Sequence, residues 1–388
     1  MEGKMSHDKF KVAYILHFFL GAGNLLPWNA LITAVDYFGS IYPGRHVERV
    51  FSVVYMGSSL LLLVLLLNCP KSLSLSVRLR LNLGFSMFLV SLMATPLMNW
   101  TCPQMSTTTS YYVVVLTVMI CGFADGLIGG TLIGAAGKLP KHYMQAVFAG
   151  TASSGVLISI LRVITKASLP PTPQGLKTSA EFYFVVGSAA LILCIIICNL
   201  LYKLPVMQHH YTNFRQMLPV NSCSKLRLRQ TFKKIRFPAF GVLMIYTVTL
   251  SIFPGFLAEN IKSQVLKDWY PIALIATYNL SDFVGKAATA VYVMEGIEAA
   301  TWWCVARLAL YPLFVGCFRG PEWLRTEAPV VVLTLMLGFS NGYLTSVLMI
   351  LAPKAVPEAE AEVAAIVMAV MLAVGLVAGS VIGWFWVI

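Results

Sequence analysis

FYFVVGSAALILCIIICNLLY, residues 182–202, runs 21 positions without a charged side chain. An α-helix rises about 1.5 Å per residue, so a run of this length crosses the roughly 30 Å hydrocarbon core of a bilayer. A helix that is apolar on every face belongs in lipid or in the middle of a very large core. The run is repeated in kind along the chain. Others lie at roughly 12–36, 50–68, 81–98, 111–137, 143–165, 239–257, 270–292, 300–318, 329–352 and 364–388, which makes eleven candidate spans.

Composition agrees with that reading. Hydrophobic residues make up 58% of the 388 positions and charged residues only 11%, against about 25% charged in a soluble domain. A soluble enzyme, a disordered chain and a secreted disulfide scaffold are excluded. The net charge of +12 does not imply nucleic acid, because the basic residues fall in short segments between apolar runs. Those segments are where a membrane protein carries its cytoplasmic bias. With the N-terminus inside, 17 Lys and Arg fall in inner segments and 8 in outer ones. The expected fold is therefore an all-α polytopic membrane protein of eleven transmembrane helices, N-terminus cytoplasmic and C-terminus extracellular. Lys4, Lys9 and Lys11 precede more than twenty mostly apolar residues, too long for the core of a cleavable signal, so the first run is expected to stay as a span. The sequon Asn99-Trp100-Thr101 falls in an expected outer loop and makes Asn99 a candidate glycosylation site.

The longest segment between spans, 203–238, carries eight basic residues and His209-His210. It separates a six-helix bundle, 1–202, from a five-helix bundle, 239–388, an arrangement used by transporters built from two halves. A basic segment of this kind is also attracted to anionic headgroups, so membrane lipids are expected partners. Cys121, Cys194, Cys198 and Cys304 lie within apolar runs, and no CxxC or Cys/His spacing occurs. No metal site, cofactor or obligatory protein partner is expected. Neither HExxH nor GxSxG with suitable partners is present, so the chain does not read as an enzyme.

Charges inside the membrane mark function. Five occur: Asp125, Arg162, Asp282, Lys286 and Arg307. Asn279, Asp282, Lys286 and Thr289 are spaced 3, 4 and 3 and share one helical face. A buried ion pair holding helices together explains Asp282 and Lys286; a polar stripe facing a wet cavity explains all four, and is the expectation. Gly122, Gly126, Gly130 and Gly134 bare one face of the fourth run for close packing, with Ala146, Gly150 and Ser154 of the fifth run as a candidate partner face. Asp125 beside them is either a hydrogen-bonded structural acid or a proton site. Pro27 deprives the carbonyl four residues back of its partner and bends the first run. Trp28 and Asn29 there offer a flat ring and an amide, a pairing that suits a planar heterocycle. Arg162 reads as a snorkelling end residue, Arg307 as a deeper site candidate and His17 as a packing residue. Glu358, Glu360 and Glu362 form an acidic inner segment able to pair with the basic linker.

Taken together, LLPWNALITA (25–34), GGTLIGAAGKLP (129–140), GTASSGV (150–156), SIFPGFLAEN (251–260), YNLSDFVGKAATA (278–290), ARLALYPLF (306–314) and the long stretch from FSNGYLTSVL (339–348) to 379 resemble the equilibrative nucleoside transporter family, its plant members most closely. The resemblance implies a major-facilitator-like architecture of six plus five helices that passes nucleosides by alternating access. It implies that Trp28 flanks the nucleobase with Leu26 and Ile32 nearby. It also implies that Asn279, Asp282 and Lys286 address the sugar hydroxyls and that Phe253 lines the cavity. Two positions depart from the family pattern. Gly129 stands where the family usually has Gln, and Lys286 where it usually has Arg. Arg presents a planar fork and Lys a mobile point charge, so atypical selectivity is expected. The alternatives are proton-coupled symport through Asp125 or Asp282, and transport of nucleobases or another small polar solute. The resemblance and the sequon suggest the plasma membrane.

Overall fold

The computed structural model describes residues 11–68, 75–102, 104, 106–208, 225–253, 263, 265–383 and 385. Lys4, Lys9, His209-His210 and the end of the SIFPGFLAEN motif lie outside the described residues. The described residues are helical and contain no strand.

The chain forms α1 (Val12–Thr33), α2 (Val35–Ile41), α3 (Val47–Asn68), α4 (Val77–Thr101), α5 (Thr107–Lys138), α6 (Lys141–Ser168) and α7 (Pro173–Leu201). These are followed by α8 (Lys225–Ile252), α9 (Tyr270–Ala288), α10 (Ile297–Ala306), α11 (Leu310–Arg319), α12 (Glu327–Leu351) and α13 (Glu358–Gly383). Side-chain oxygens start three of them. Ser76 accepts from the Leu79 N–H, Ser106 from the Thr109 N–H and Thr172 from the Gly175 N–H, each satisfying an amide that has no partner in the first turn.

Among the described residues, ten helices are long and apolar enough to cross a membrane, counting 297–319 as one. The remaining expected span, α9, is a 19-residue helix whose polar residues keep it outside that apolar class. The 297–319 span is broken by a 3₁₀ turn at Arg307–Ala309. Pro312, with no N–H to offer the carbonyl four residues back, accounts for the break. Pro27, by contrast, lies within α1, which runs unbroken to Thr33. The helix α8 begins inside the segment expected to be linker, because Thr231, Ile235, Ala239, Val242 and Ile245 form one unbroken fully buried face.

Within the first seven helices, α1 lies on α6 and α7, and α5 on α3 and α4; among the last six, α8 packs on α13 and α9 on α12. Two seams join the sets: α6 against α9, and α13 against α5 and α3. The glycine face of α5 finds a partner other than α6. A Cβ on Gly122 would stand 2.4 Å from the Tyr55 carbonyl oxygen, and one on Gly126 2.5 Å from that of Ser59, both on α3. Gly150 of α6 lies instead on α1, where a Cβ would fall 1.9 Å from the Phe18 oxygen.

Candidate solute-binding site

The C-terminal half of α1 supplies the aromatic element. Trp28 is half-buried and rests on Tyr55 of α3, ring centroids 4.6 Å apart and tilted by 39°. Asn29 Nδ2 donates to Ser154 Oγ of α6 at 2.9 Å. Leu26 is buried in the apolar core and Ile32 half-buried. One turn before Trp28 stands Asn24, which sequence reasoning passed over. Gly129 of α5 faces it, and a Cβ at Gly129 would meet only the Asn24 amide, at 3.7 and 3.9 Å.

Asp125 sits one helical turn before Gly129. Its Oδ2 accepts from Ser59 Oγ at 2.7 Å, and the Tyr55 phenol and Cys121 thiol are in electrostatic contact with it. All three neighbours are neutral. Tyr55 therefore packs on the Trp28 ring and lies near the Asp125 carboxylate.

The polar residues of α9 divide between two neighbours. Asn279 Nδ2 donates to Ser159 Oγ at 2.8 Å and to the Gly155 carbonyl at 3.3 Å, both on α6. Asp282 and Lys286 turn toward α12. Lys286 Nζ donates to Asp282 Oδ2 at 2.7 Å, and Asn341 Nδ2 donates to Asp282 Oδ1 at 2.7 Å. The two residues are only 7% and 4% exposed. Here the stripe expected to face a wet cavity is sealed at its charged end, because each charge offsets the other's desolvation and the spare carboxylate oxygen has an amide. Thr289 caps the helix by donating to the Lys286 carbonyl at 2.6 Å. Gly342 allows this approach: a Cβ there would lie 2.1 Å from the Asp282 carbonyl oxygen.

Arg307 binds both α8 and α12 through its two terminal nitrogens. Its guanidinium donates to the Ile245 carbonyl at 3.0 Å, the Leu337 carbonyl at 3.1 Å and Thr249 Oγ1 at 2.8 Å. Thr249 in turn donates to Asn341 Oδ1 at 2.9 Å. One chain of bonds thus runs Arg307–Thr249–Asn341–Asp282–Lys286. Thr249 and Asn341 had no sequence signal, since a lone Thr and Asn on separate spans share no spacing with α9. Phe253 stacks on Tyr278 of α9, centroids 3.9 Å apart and nearly parallel at 19°. No hydrogen bond, ion pair or ring contact among the described residues joins Trp28 to Asp282 or Lys286; α6 lies between them, gripped by Asn29 on one side and Asn279 on the other.

At the end of the molecule where α5 finishes, Glu362 of α13 pairs with Lys138 of α5 and, at 3.8 Å, with Arg80 of α4. Lys354 Nζ donates to the Leu139 carbonyl at 2.7 Å, placing a cation where the C-terminus of α5 concentrates negative potential. Lys234 pairs with Glu360 at 3.2 Å. Other predicted residues fall away from the site. Arg162 pairs with Asp36 at the opposite end, and His17 Nδ1 is bonded to the Ala13 carbonyl at 2.7 Å. Asn99 stands in the last turn of α4 rather than in a loop. Its amide donates to the Tyr37 hydroxyl at 2.7 Å.

The family model described as nucleoside transporter matches residues 115–218 and 212–388. Among curated relatives from Arabidopsis thaliana, equilibrative nucleotide transporter 8 is 59% identical over 99% of this chain and 97% of its own. Equilibrative nucleotide transporter 1 is 46% identical over 99% of this chain and 88% of its own. Among solved structures, the proton:xylose symporter XylE of the major facilitator superfamily superposes with a TM-score of 0.65 at 12% identity, over 97% of this chain and 88% of its own. A bacterial homologue of ferroportin in the outward-facing state gives 0.66 at 10% identity, over 97% of this chain and 92% of its own. At those identities the likeness is one of fold alone.

Proposed function

Because the chain belongs to the nucleoside transporter family, we propose that it carries nucleosides across a membrane, without an energy source of its own, by alternating access. The α9 helix is then the eleventh span, the N-terminus cytoplasmic and the C-terminus extracellular, with 1–202 and 239–388 as the two moving bundles. The plasma membrane is the proposed location. Trp28 offers the base a flat face, and Asn29, Asn279, Asp282 and Lys286 serve the ribose and the positioning of α1, α6 and α9. Gly129 and Lys286, in place of Gln and Arg, give this chain a selectivity of its own.

The observation that carries the reading is a matched pair of contacts on α6. Asn29 holds Ser154 and Asn279 holds Gly155 and Ser159, so helices from both bundles meet one short polar stretch midway along α6. The ion pairs of Glu362 close the inner end. A solute admitted from outside would therefore meet a closed floor, which one-sided access requires.

The test is radiolabelled uptake in cells lacking endogenous nucleoside transport, with nucleosides and free bases at two external pH values. Saturable nucleoside uptake that falls severalfold in Trp28→Ala is expected, and Gly129→Gln and Lys286→Arg should each alter the order of preference. If no nucleoside or base is taken up saturably, the reading fails. If both substitutions leave the order unchanged, the selectivity claim fails.

A second reading, proton coupling, draws support from Asp125 rather than Asp282. Asp282 is committed to Lys286. Among the described residues the polar groups at Asp125 are the Ser59 hydroxyl, the Tyr55 phenol and the Cys121 thiol, with no ion pair, so taking up a proton there breaks none. The charged groups on neighbouring helices, Arg80 of α4 and Glu362 of α13, pair with each other, and Glu362 also with Lys138, 13 residues and roughly 20 Å further along α5. Uptake that rises at acidic external pH in the wild type and becomes flat in Asp125→Asn is the expected signature. Uptake that is already flat in the wild type discards this reading.

A further inference from the structure

Asn24 is an amide in the membrane region whose carbonyl is left over. Its Oδ1 is sealed from solvent and has no hydrogen-bond partner among the described residues. The other asparagines of the spans do not share this condition. Asn29, Asn82, Asn199, Asn279 and Asn341 each bond through their amides to protein. A buried polar atom without a partner is costly, and native structures rarely keep one that has no use.

The surroundings say what the use is. Asn24 and Trp28 are four residues apart on α1 and so lie on one face. Opposite Asn24 the wall is Gly129, where even a methyl group would touch nothing within 4 Å except that amide. A bare notch, an unpaired acceptor and a half-buried aromatic ring therefore stand side by side. A flat ring set against Trp28 brings its edge to the notch, and the edge must carry an N–H.

We propose that Asn24 reads the edge of the nucleobase. Its Oδ1 accepts an N–H from the base and its Nδ2 donates to the neighbouring ring nitrogen. A carboxamide matches adenine in this way at its amino group and N7, so a purine nucleoside bearing a 6-amino group is the ligand class it favours. The inference rests on the nucleoside reading above and adds to it a named contact for the base.

The test pairs a deletion in the protein with one in the ligand. Asn24→Leu removes the amide and keeps its approximate volume. Purine riboside lacks only the 6-amino group of adenosine. Thermal unfolding of the purified full-length transporter is followed with each nucleoside, and their affinities are taken from the ligand dependence of Tm. The wild type should prefer adenosine by about tenfold, the worth of one well-made hydrogen bond. In Asn24→Leu the two ligands should bind equally, because the cycle has lost its coupling. The unliganded variant should melt no lower than the wild type, since an unpaired polar atom has been replaced by an apolar one. An amide with a purely structural role predicts the opposite pattern, a lower unliganded Tm with the adenosine preference intact, and that result overturns the proposal. Gly129→Gln provides a second variant. Its amide reaches the Asn24 Oδ1 across the notch, so it should reduce the adenosine preference in a protein whose Asn24 is untouched; an unreduced preference also overturns the proposal. If the wild type responds to neither nucleoside in melting or in uptake, it is the nucleoside reading itself that has failed.

Discussion

Asp282 and Lys286 lie four residues apart, and that spacing alone predicts their contact. It does not predict that the contact is dry. Dryness comes from Asn341, 59 residues further on, which closes the second carboxylate oxygen at 2.7 Å. Hydrogen bonds between helices have no sequence period, so the pair was legible and its setting was not. The setting has a measurable consequence. Asp282→Asn strands the Lys286 ammonium in a site that is 4% exposed, and breaking a buried pair on one side costs about 3–5 kcal/mol. The double change Asp282→Asn with Lys286→Met removes both charges and should melt at a higher temperature than the single one, though it transports no better. Melting of the three proteins in detergent decides it: a double variant less stable than the single shows that the pair is not what the charges are for. Trp28 marks the opposite case. Its ring, and the Asn29 beside it, stood out from the sequence because a proline precedes them, whereas Asn24 carried no such marker and became visible only through the empty wall at Gly129.

Apolar run length is a property of one segment, and the helices of the spans appear close to where the runs put them. What the runs leave open is which helix lies against which. The glycines at 122 and 126 announce a bare face, but every helix is a candidate to fill it, and α3 does so rather than α6. The extension of α8 back to Lys225 was hidden for a related reason. Basic residues on its outer face gave the segment the composition of a linker while Thr231 and Ile235 continued the buried face. Close approach also makes the glycines unequal. A methyl at Gly342 would fall 2.1 Å from the Asp282 carbonyl oxygen, whereas one at Gly57, on an exposed face of α3, meets nothing within 4 Å. Gly342→Ala should push α9 and α12 apart, with loss of monodisperse protein and of uptake together. Gly57→Ala should be neutral or stabilising by up to about 1 kcal/mol, the usual helical preference for alanine. Size-exclusion profiles of the two variants separate the cases, and equal behaviour would count against the α9–α12 contact described here.

Across the whole molecule, the contacts between the first and last sets of helices differ at the two ends, and that asymmetry defines a conformational state. At the end where α5 finishes, one carboxylate, Glu362, holds Lys138 and Arg80, and Lys354 covers the carbonyls that end α5. Beneath this cluster the helices touch closely: a Cβ on Gly137 would lie 2.7 Å from that of Ala365, which is itself fully buried. Removing the charge of Glu362 leaves Lys138 and Arg80, both on the first set of helices, without their partner across the seam, so the closed arrangement loses its attraction. An equilibrium between two access states shifts by whatever free energy distinguishes them; a loss of about 1.4 kcal/mol changes the population ratio tenfold. A cysteine placed at Ala365 reports that shift. In inside-out vesicles a membrane-impermeant thiol reagent should label it slowly in the parent and severalfold faster once Glu362→Gln is added. Saturating nucleoside, which favours the closed complex, should slow the labelling again. Raised salt should speed labelling in the parent more than in the Gln variant, because only the parent has the partly exposed pairs of Glu362 to screen. Labelling that is equally slow in both proteins at every salt concentration would mean that the apolar contact of α5 with α13 closes this end unaided, and that Glu362 is no latch.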